Sequence, residues 1–283
     1  MVSDPRALAG HIDDVTLIDQ HVHGCWMTAG DRNRFENALN EANTEPIMGS
    51  GFDTQLGFAV RAHCSPVLGL PKHADPQSYW ERRNRFGEAE LARMFLPDAG
   101  VSDWLVDTGI GAETAGPAEM AELSGNRAHE VIRLEQVAEQ AARAPGDYAA
   151  AFEDILHRRA ATAVGTKSIL AYRGGFDGDL SEPAPAQVAE AASRWRDRGG
   201  TRLQDRVLLR FGLHQALRLG KPLQSTSASA TGTATCTRPT HCCCSTSCGS
   251  PRTPRSCCCI AIPTSARPDT WRRPSTTSMS TAG

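Results

Sequence analysis

The stretch Asp14-Val-Thr-Leu-Ile-Asp19, followed at once by Gln20-His21-Val22-His23-Gly24, sets the reading of the whole chain. A short apolar run that stops at a polar cluster has the pattern of a buried parallel strand. Residues two apart on an extended chain point the same way, so His21 and His23 can turn both imidazoles toward one ion. Two neutral imidazoles suit Zn²⁺, Fe²⁺ or Mn²⁺ better than Mg²⁺ or Ca²⁺. An H-x-H pair alone is a weak signal. Its place at the carboxyl end of a strand, before a glycine, is what favours a metal role over a structural one.

Three further runs read as strands: Ser102-Asp-Trp-Leu-Val-Asp107, His129-Glu-Val-Ile-Arg-Leu134 and Ala163-Val-Gly-Thr-Lys-Ser-Ile-Leu170. Apolar residues at three-to-four spacing predict helices over Gln136 to Arg143, Asp147 to Ala161, Pro185 to Arg198 and Leu203 to Leu219. Strands that alternate with helices argue for a parallel sheet, open or closed into a barrel. From about 24 to 100 the rhythm is broken by helical stretches (Arg32 to Glu41, Thr54 to His63, Pro76 to Arg85, Glu88 to Phe95). These read as a helical insertion after the first strand, of the kind that covers the mouth of a βα barrel.

The totals fit a soluble catalyst of small-molecule chemistry. The chain has 283 residues, 40 % of them hydrophobic, and a net charge of −2. With both signs interspersed there is no electrostatic case for nucleic acid or an anionic membrane as partner. The first residues lack a basic segment followed by an apolar run, and no apolar stretch approaches the roughly 20 residues of a membrane span. A cytoplasmic location is expected, with a small-molecule substrate and, for an intact barrel, scope for homo-oligomers.

At Ser225 the composition breaks. Of the 59 residues from 225 to 283, 24 are Ser or Thr, with no Leu, Val, Phe, Lys or Glu and six Arg against one Asp. Eight of the ten cysteines fall here, including the triplets Cys242 to Cys244 and Cys257 to Cys259. Adjacent cysteines cannot all pair or ligate, and C-x-x-C zinc spacing is lacking. Such a composition cannot bury enough apolar surface to offset chain entropy, so 225–283 is expected to be a disordered tail.

The genetic code offers a sharper account. Reading one base earlier puts each codon's first base in the second position, which largely sets hydropathy. Cys codons then give Leu, Val or Met, and the cysteine triplets become aliphatic runs. Ser225, Ser227 and Ser229 become alternating apolar residues, as in a half-buried strand. The pattern points to a frameshift near Gln224.

The strand ending in Asp19-Gln20-His21-Val22-His23-Gly24 resembles the first-strand metal motif of the amidohydrolase superfamily. The chain is similar in particular to the amidohydrolase-related branch, some of whose members are fused to glutamine synthetase. The similarity runs over most of 1–224, including Trp104-Leu-Val-Asp107-Thr-Gly109 and Lys167-Ser-Ile-Leu-Ala-Tyr172-Arg173-Gly-Gly175. The resemblance implies an α/β fold, the N-terminal half of a (β/α)8 TIM-like barrel, in which a divalent metal ion, Zn first and Mn or Fe as alternatives, activates water. By it, His21 and His23 are the first two metal ligands. Further histidines are expected after strands five and six, and an aspartate after strand eight. The printed frame supplies none of these; the shifted frame places histidines opposite Thr226 and Ile260.

Lys167, on the fourth predicted strand, stands where the superfamily sometimes has a carbamylated lysine bridging two metals. A substrate-carboxylate contact or a plain ion pair is equally open to it. Arg173, beside Gly174-Gly175, is a candidate oxyanion or carboxylate clamp. Asp107 and Glu135, near strand ends, are candidate substrate contacts, although lone carboxylates are more often caps or solvated. His63, His73, His129, His157 and His214 lack paired spacing and are not expected to be ligands.

The expected function is metal-dependent hydrolysis of a C–N or C–O bond in a small polar metabolite, with the chain as printed expected to be inactive because the C-terminal half of the barrel is lost. Non-oxidative decarboxylation or sugar-acid isomerisation on the same barrel is the alternative within enzymes. The alternative from another class is a truncated, non-catalytic product.

Overall fold

The computed structural model describes residues 15–40, 49–111, 113–173, 178–227 and 258–262. Its centre is a sheet in sequential order: β1 (Leu17–Val22), β2 (Val101–Asp107), β3 (Arg127–Arg133), β4 (Gly165–Ser168), β5 (Leu223–Ser227) and β6 (Cys258–Ile262). The first five strands pair in parallel and curl into an α/β half-barrel.

Around the sheet lie α1 (Arg32–Ala38), α2 (Gln55–Val67), α3 (Pro76–Arg83), α4 (Glu88–Asp98), α5 (Pro117–Ser124), α6 (Leu134–Arg143), α7 (Tyr148–Ala160), α8 (Pro185–Asp197) and α9 (Arg206–Arg218). Side-chain caps start several of them. Asp75 accepts from the amides of Gln77 and Ser78, with Pro76 at the first helical position. Asp147 and Asp205 cap α7 and α9 in the same way. Each satisfies amides that the first helical turn leaves without partners.

The largest core lies under α6 to α9. Phe152, Leu156, Val137, Ala191 and Leu208 are fully or almost fully buried there, against Ile132 and Leu223 of the sheet. Phe152 meets Phe211 edge-on at 5.3 Å between ring centroids. A second cluster packs Trp104 and Val106 of β2 against Met120 and Leu123 of α5. Helices α1 to α4, which stand between β1 and β2, close a third around Phe52, Leu68, Tyr79 and Leu91. Arg83 joins this third cluster, paired with Glu88 at 2.7 Å and stacked on Phe35 at 5.0 Å.

Several elements differ from the sequence expectation. The first strand begins at Leu17 and runs on through His21 to Val22; Asp14 lies outside the described residues. The fourth strand is only Gly165–Ser168, followed by a 3-10 turn at Leu170–Arg173. Its early end follows from two hydrogen bonds: the amide of Ile169 donates to Glu135, and that of Leu170 to the Ser168 hydroxyl, so neither continues the ladder. Helix α5, absent from the sequence reading, is a short helix started by Pro117 and stopped by Gly125 in the left-handed region.

Within 225–283, where disorder is expected, Ser225–Ser227 and Cys258–Ile262 are strands paired with each other; the remainder lies outside the described residues. That last pairing is antiparallel. The sheet therefore departs at β6 from the all-parallel order of a βα barrel. Among the described residues no helix is long and apolar enough to cross a membrane.

Candidate active site

The carboxyl ends of β1, β2, β3 and β4 bring five polar side chains together: His21, His23, Asp107, Arg133 and Lys167. The register against β2 is irregular between Asp19 and Val22, so three steps on β1 face two on β2. A bulge of this kind re-aims the side chains around it. The Asp19 carboxylate accepts from the His21 amide at 3.0 Å and holds the turn of the chain. The two imidazoles end up edge to face, with centroids 4.8 Å apart.

Gly24 is required by this turn. Its φ is +81°, and a Cβ there would sit 2.1 Å from the carbonyl oxygen of Ala115. The following residues are laced to the loop after β2, with the Ala115 amide donating to Cys25 O at 2.8 Å and the Met27 amide to Glu113 O at 2.9 Å.

Lys167 is 1 % exposed, and its Nζ lies 3.0 Å from Nδ1 of His21 and 3.9 Å from Oδ2 of Asp107. An ammonium can only donate, so the facing ring nitrogen is the acceptor. Burial, reinforced by the neighbouring Lys167 charge, lowers the His21 pKa from 6.5 to about 4. Burial also lowers that of His23, against the opposing pull of Asp107. Both rings are therefore neutral near pH 7, the form that ligates metal.

Asp107 is equally buried, and its two oxygens are engaged. Arg133 grips it through Nε at 3.1 Å and through Nη2, and the Gly109 amide donates at 3.0 Å. Burial raises its pKa, but these donors outweigh it and hold the carboxyl below its ordinary value. His23 Nδ1 stands 3.6 Å from the same carboxylate, buried and without a hydrogen-bond partner. On β5, Gln224 donates to Gln20 O at 2.7 Å, which leaves its buried Oε1 without a partner.

The residues singled out in the sequence thus divide. His21, His23, Lys167 and Asp107 meet. Glu135 and Arg173 lie to one side, beyond Arg133, where Glu135 is 2 % exposed in the first turn of α6. Its Oε1 accepts from Ser168 Oγ at 2.8 Å and the Ile169 amide at 3.0 Å. Burial raises its pKa. Arg173 donates to Leu203 O at 2.5 Å; Gly174 and Gly175 are outside the described residues.

The remaining described histidines have other partners or places. His129 faces Asp103 at 3.1 Å, His157 reaches Glu153 O at 2.7 Å and His214 reaches Leu180 O at 3.0 Å. The residue missed by the sequence reading is Arg133. It stands next to last in the predicted strand His129 to Leu134, which was the available signal.

Among the described residues no three His, Cys, Asp or Glu side chains form a metal's ligand set. The donors present still suit an ion that takes imidazoles: two neutral rings, one with a buried nitrogen lacking any partner.

No family model and no curated protein matches this chain. In fold it is similar to the crystal structure of a protein from Lactobacillus casei ATCC 334 named as a "putative metal-dependent hydrolase", with a TM-score of 0.59 and 24 % identity. The match covers 81 % of this chain and 62 % of that one, so the chain spans less than two thirds of its neighbour's length. The likeness establishes the α/β half-barrel arrangement.

Proposed function

We propose that the chain carries the first-strand part of a metal-dependent hydrolase site of the amidohydrolase type, with His21 and His23 as ligands. The observation that carries this reading is the neutral His21–His23 pair, with ring centroids 4.8 Å apart where β1 ends. The fold neighbour's name supports the same class. A divalent ion held there would lower the pKa of a water molecule and polarise a scissile C–N or C–O bond.

The chain's own residues do the positioning. Lys167 donates to Nδ1 of His21, which places the ring's own proton on Nε2, so an ion would have to displace this contact to use the Nδ1 lone pair. Arg133 holds Asp107 ionised, and Asp107 in turn keeps a negative charge 3.6 Å from His23. Two imidazoles fall short of the three protein ligands usual at a catalytic zinc. The described residues therefore support ion binding more than turnover. The further histidines are read as encoded in the shifted frame, opposite Thr226 and Ile260, and resequencing across the codons for Leu223 to Thr226 tests that: an added or missing base is expected.

A second reading is favoured by Lys167 itself. A buried cation 3.0 Å from His21 repels a second cation, so the cluster could serve folding alone. Calorimetric titration of the full chain with Zn²⁺ and Mn²⁺ separates the two. The metal reading expects stoichiometric binding that His21→Ala and His23→Ala each weaken by about tenfold or more. Absence of binding, or binding indifferent to both substitutions, leaves the structural reading.

A further inference from the structure

Beyond Arg133, on the side away from the histidines, a cleft of about 270 Å³ opens between the loop after β2, helix α6 and the turn after β4. Arg133, Glu135, Glu139, Arg143 and Arg173 line it. Two of the residues that line it each hold a buried polar atom without a hydrogen-bond partner: Oε2 of Glu135 and Nε of Arg173. Buried polar groups in folded proteins are nearly always satisfied, so a pair of orphans among the residues of one cleft marks a place where a ligand completes the bonding.

The charges decide what kind of ligand. Arg133 is neutralised by Asp107, outside the cleft. Glu139 keeps its negative charge and uses one oxygen to accept the Leu203 amide at 3.1 Å. Arg143 and Arg173 are positive, and Arg202 adds to the positive field at Arg173. Burial raises the pKa of Glu135, which weakens its repulsion of an anion in the cleft. Arg143 and Arg173, set against Glu139, leave the cleft richer in hydrogen-bond donors than in acceptors. Such a lining matches a single carboxylate better than a doubly charged phosphate.

We infer that this cleft is a carboxylate-binding subsite, formed by Arg143, Arg173 and Glu135, which receives the acid group of a substrate whose reacting bond lies at the His21–His23 pair. The inference deepens the hydrolase reading and rests on it for the word substrate, but binding in the cleft does not require the metal. Arg133 is the divider: one guanidinium borders the cleft and grips Asp107 of the histidine cluster.

The test is an NMR-monitored titration of the full chain, in the presence of chelator, with propionate, propionamide, ethylamine and inorganic phosphate. Propionate should bind saturably and more tightly than the other three. Arg173→Gln and Arg143→Gln should each weaken it by about tenfold or more, the scale of a lost bond to a charged group. Arg173 also holds Leu203 O, so loss of fold in its variant is checked by circular dichroism; Arg143→Gln, near the end of α6, then decides. Glu135→Gln, which removes any negative charge at that place, should retain propionate binding. Equal binding of propionamide, preference for ethylamine, or indifference to both arginine variants would overturn the inference. Because no metal is present, failure here leaves the zinc titration of the histidines standing, and the reverse also holds.

Discussion

Arg133, at the end of β3, holds both carboxylate oxygens of Asp107, at the end of the neighbouring β2, and both side chains are largely out of water. This pair fastens the two strand ends between which the candidate site and the carboxylate cleft divide. Removing one partner strands the other charge in a poorly solvated place. Arg133→Met should therefore lower stability by about 3–5 kcal/mol. Urea unfolding of the variant against the wild type measures it, and a loss under about 1 kcal/mol would mean that Asp107 finds solvent or another donor.

Gly109 makes room for that grip. A Cβ at this position would lie 2.1 Å from both Cδ and Nε of Arg133. Gly109→Ala should push the guanidinium off Asp107, at a cost of about 1–3 kcal/mol. In an Arg133→Ala background the same change should cost much less, because the clash has been removed. Additive losses in the double-mutant cycle would refute the steric account.

Stability should also fall with acid in a window set by His21. Its pKa in the folded chain is about 4 against 6.5 for a free imidazole, through burial and the Lys167 charge. The unfolded state then takes up a proton that the folded state resists. The contribution is complete above pH 6.5 and is lost as the pH falls toward 4. His23, lowered in the same direction, adds to it. Asp107 acts in a lower window, below 3.8, and Glu135 works oppositely because its pKa is raised. Denaturant midpoints between pH 7 and pH 4.5 should flatten in His21→Gln; an unchanged slope in the variant would assign the effect elsewhere.

The core under α6 to α9 gives a control outside the histidine cluster. Phe152 is fully buried between Tyr148 and Phe211. Phe152→Ala should cost about 3–5 kcal/mol. Zinc affinity at the histidines, measured below the melting transition, should stay unchanged if that site is an independent unit of the sheet ends.

Much of this was open to direct reading. Strands at 102–107 and 129–134 and helices from 136, 147 and 185 onward follow from apolar spacing, because burial on one face demands that spacing whatever the rest of the chain does. Asp107 was a site candidate because it ends a predicted strand, and Lys167 because of the family resemblance on the fourth one. Helix α5 was not, since its pattern of Pro117, Met120 and Leu123 is too short to stand out. The fourth strand was read too long because the bond that ends it comes from Glu135, 34 residues away along the chain from Ile169.

By itself the sequence determined the alternation of parallel strands and helices, the H-x-H pair on the first strand and the change of composition at Ser225. These are local properties, carried by the period of the side chains or by residue content. Only the tertiary structure decided that Lys167 lies against His21, that Arg133 saturates Asp107, and that Glu135 turns away from the histidines into a cleft with Arg143 and Arg173. The first two of those pairings join residues 146 and 26 positions apart. Strand register and curvature set them, and no local pattern encodes which strand ends will meet.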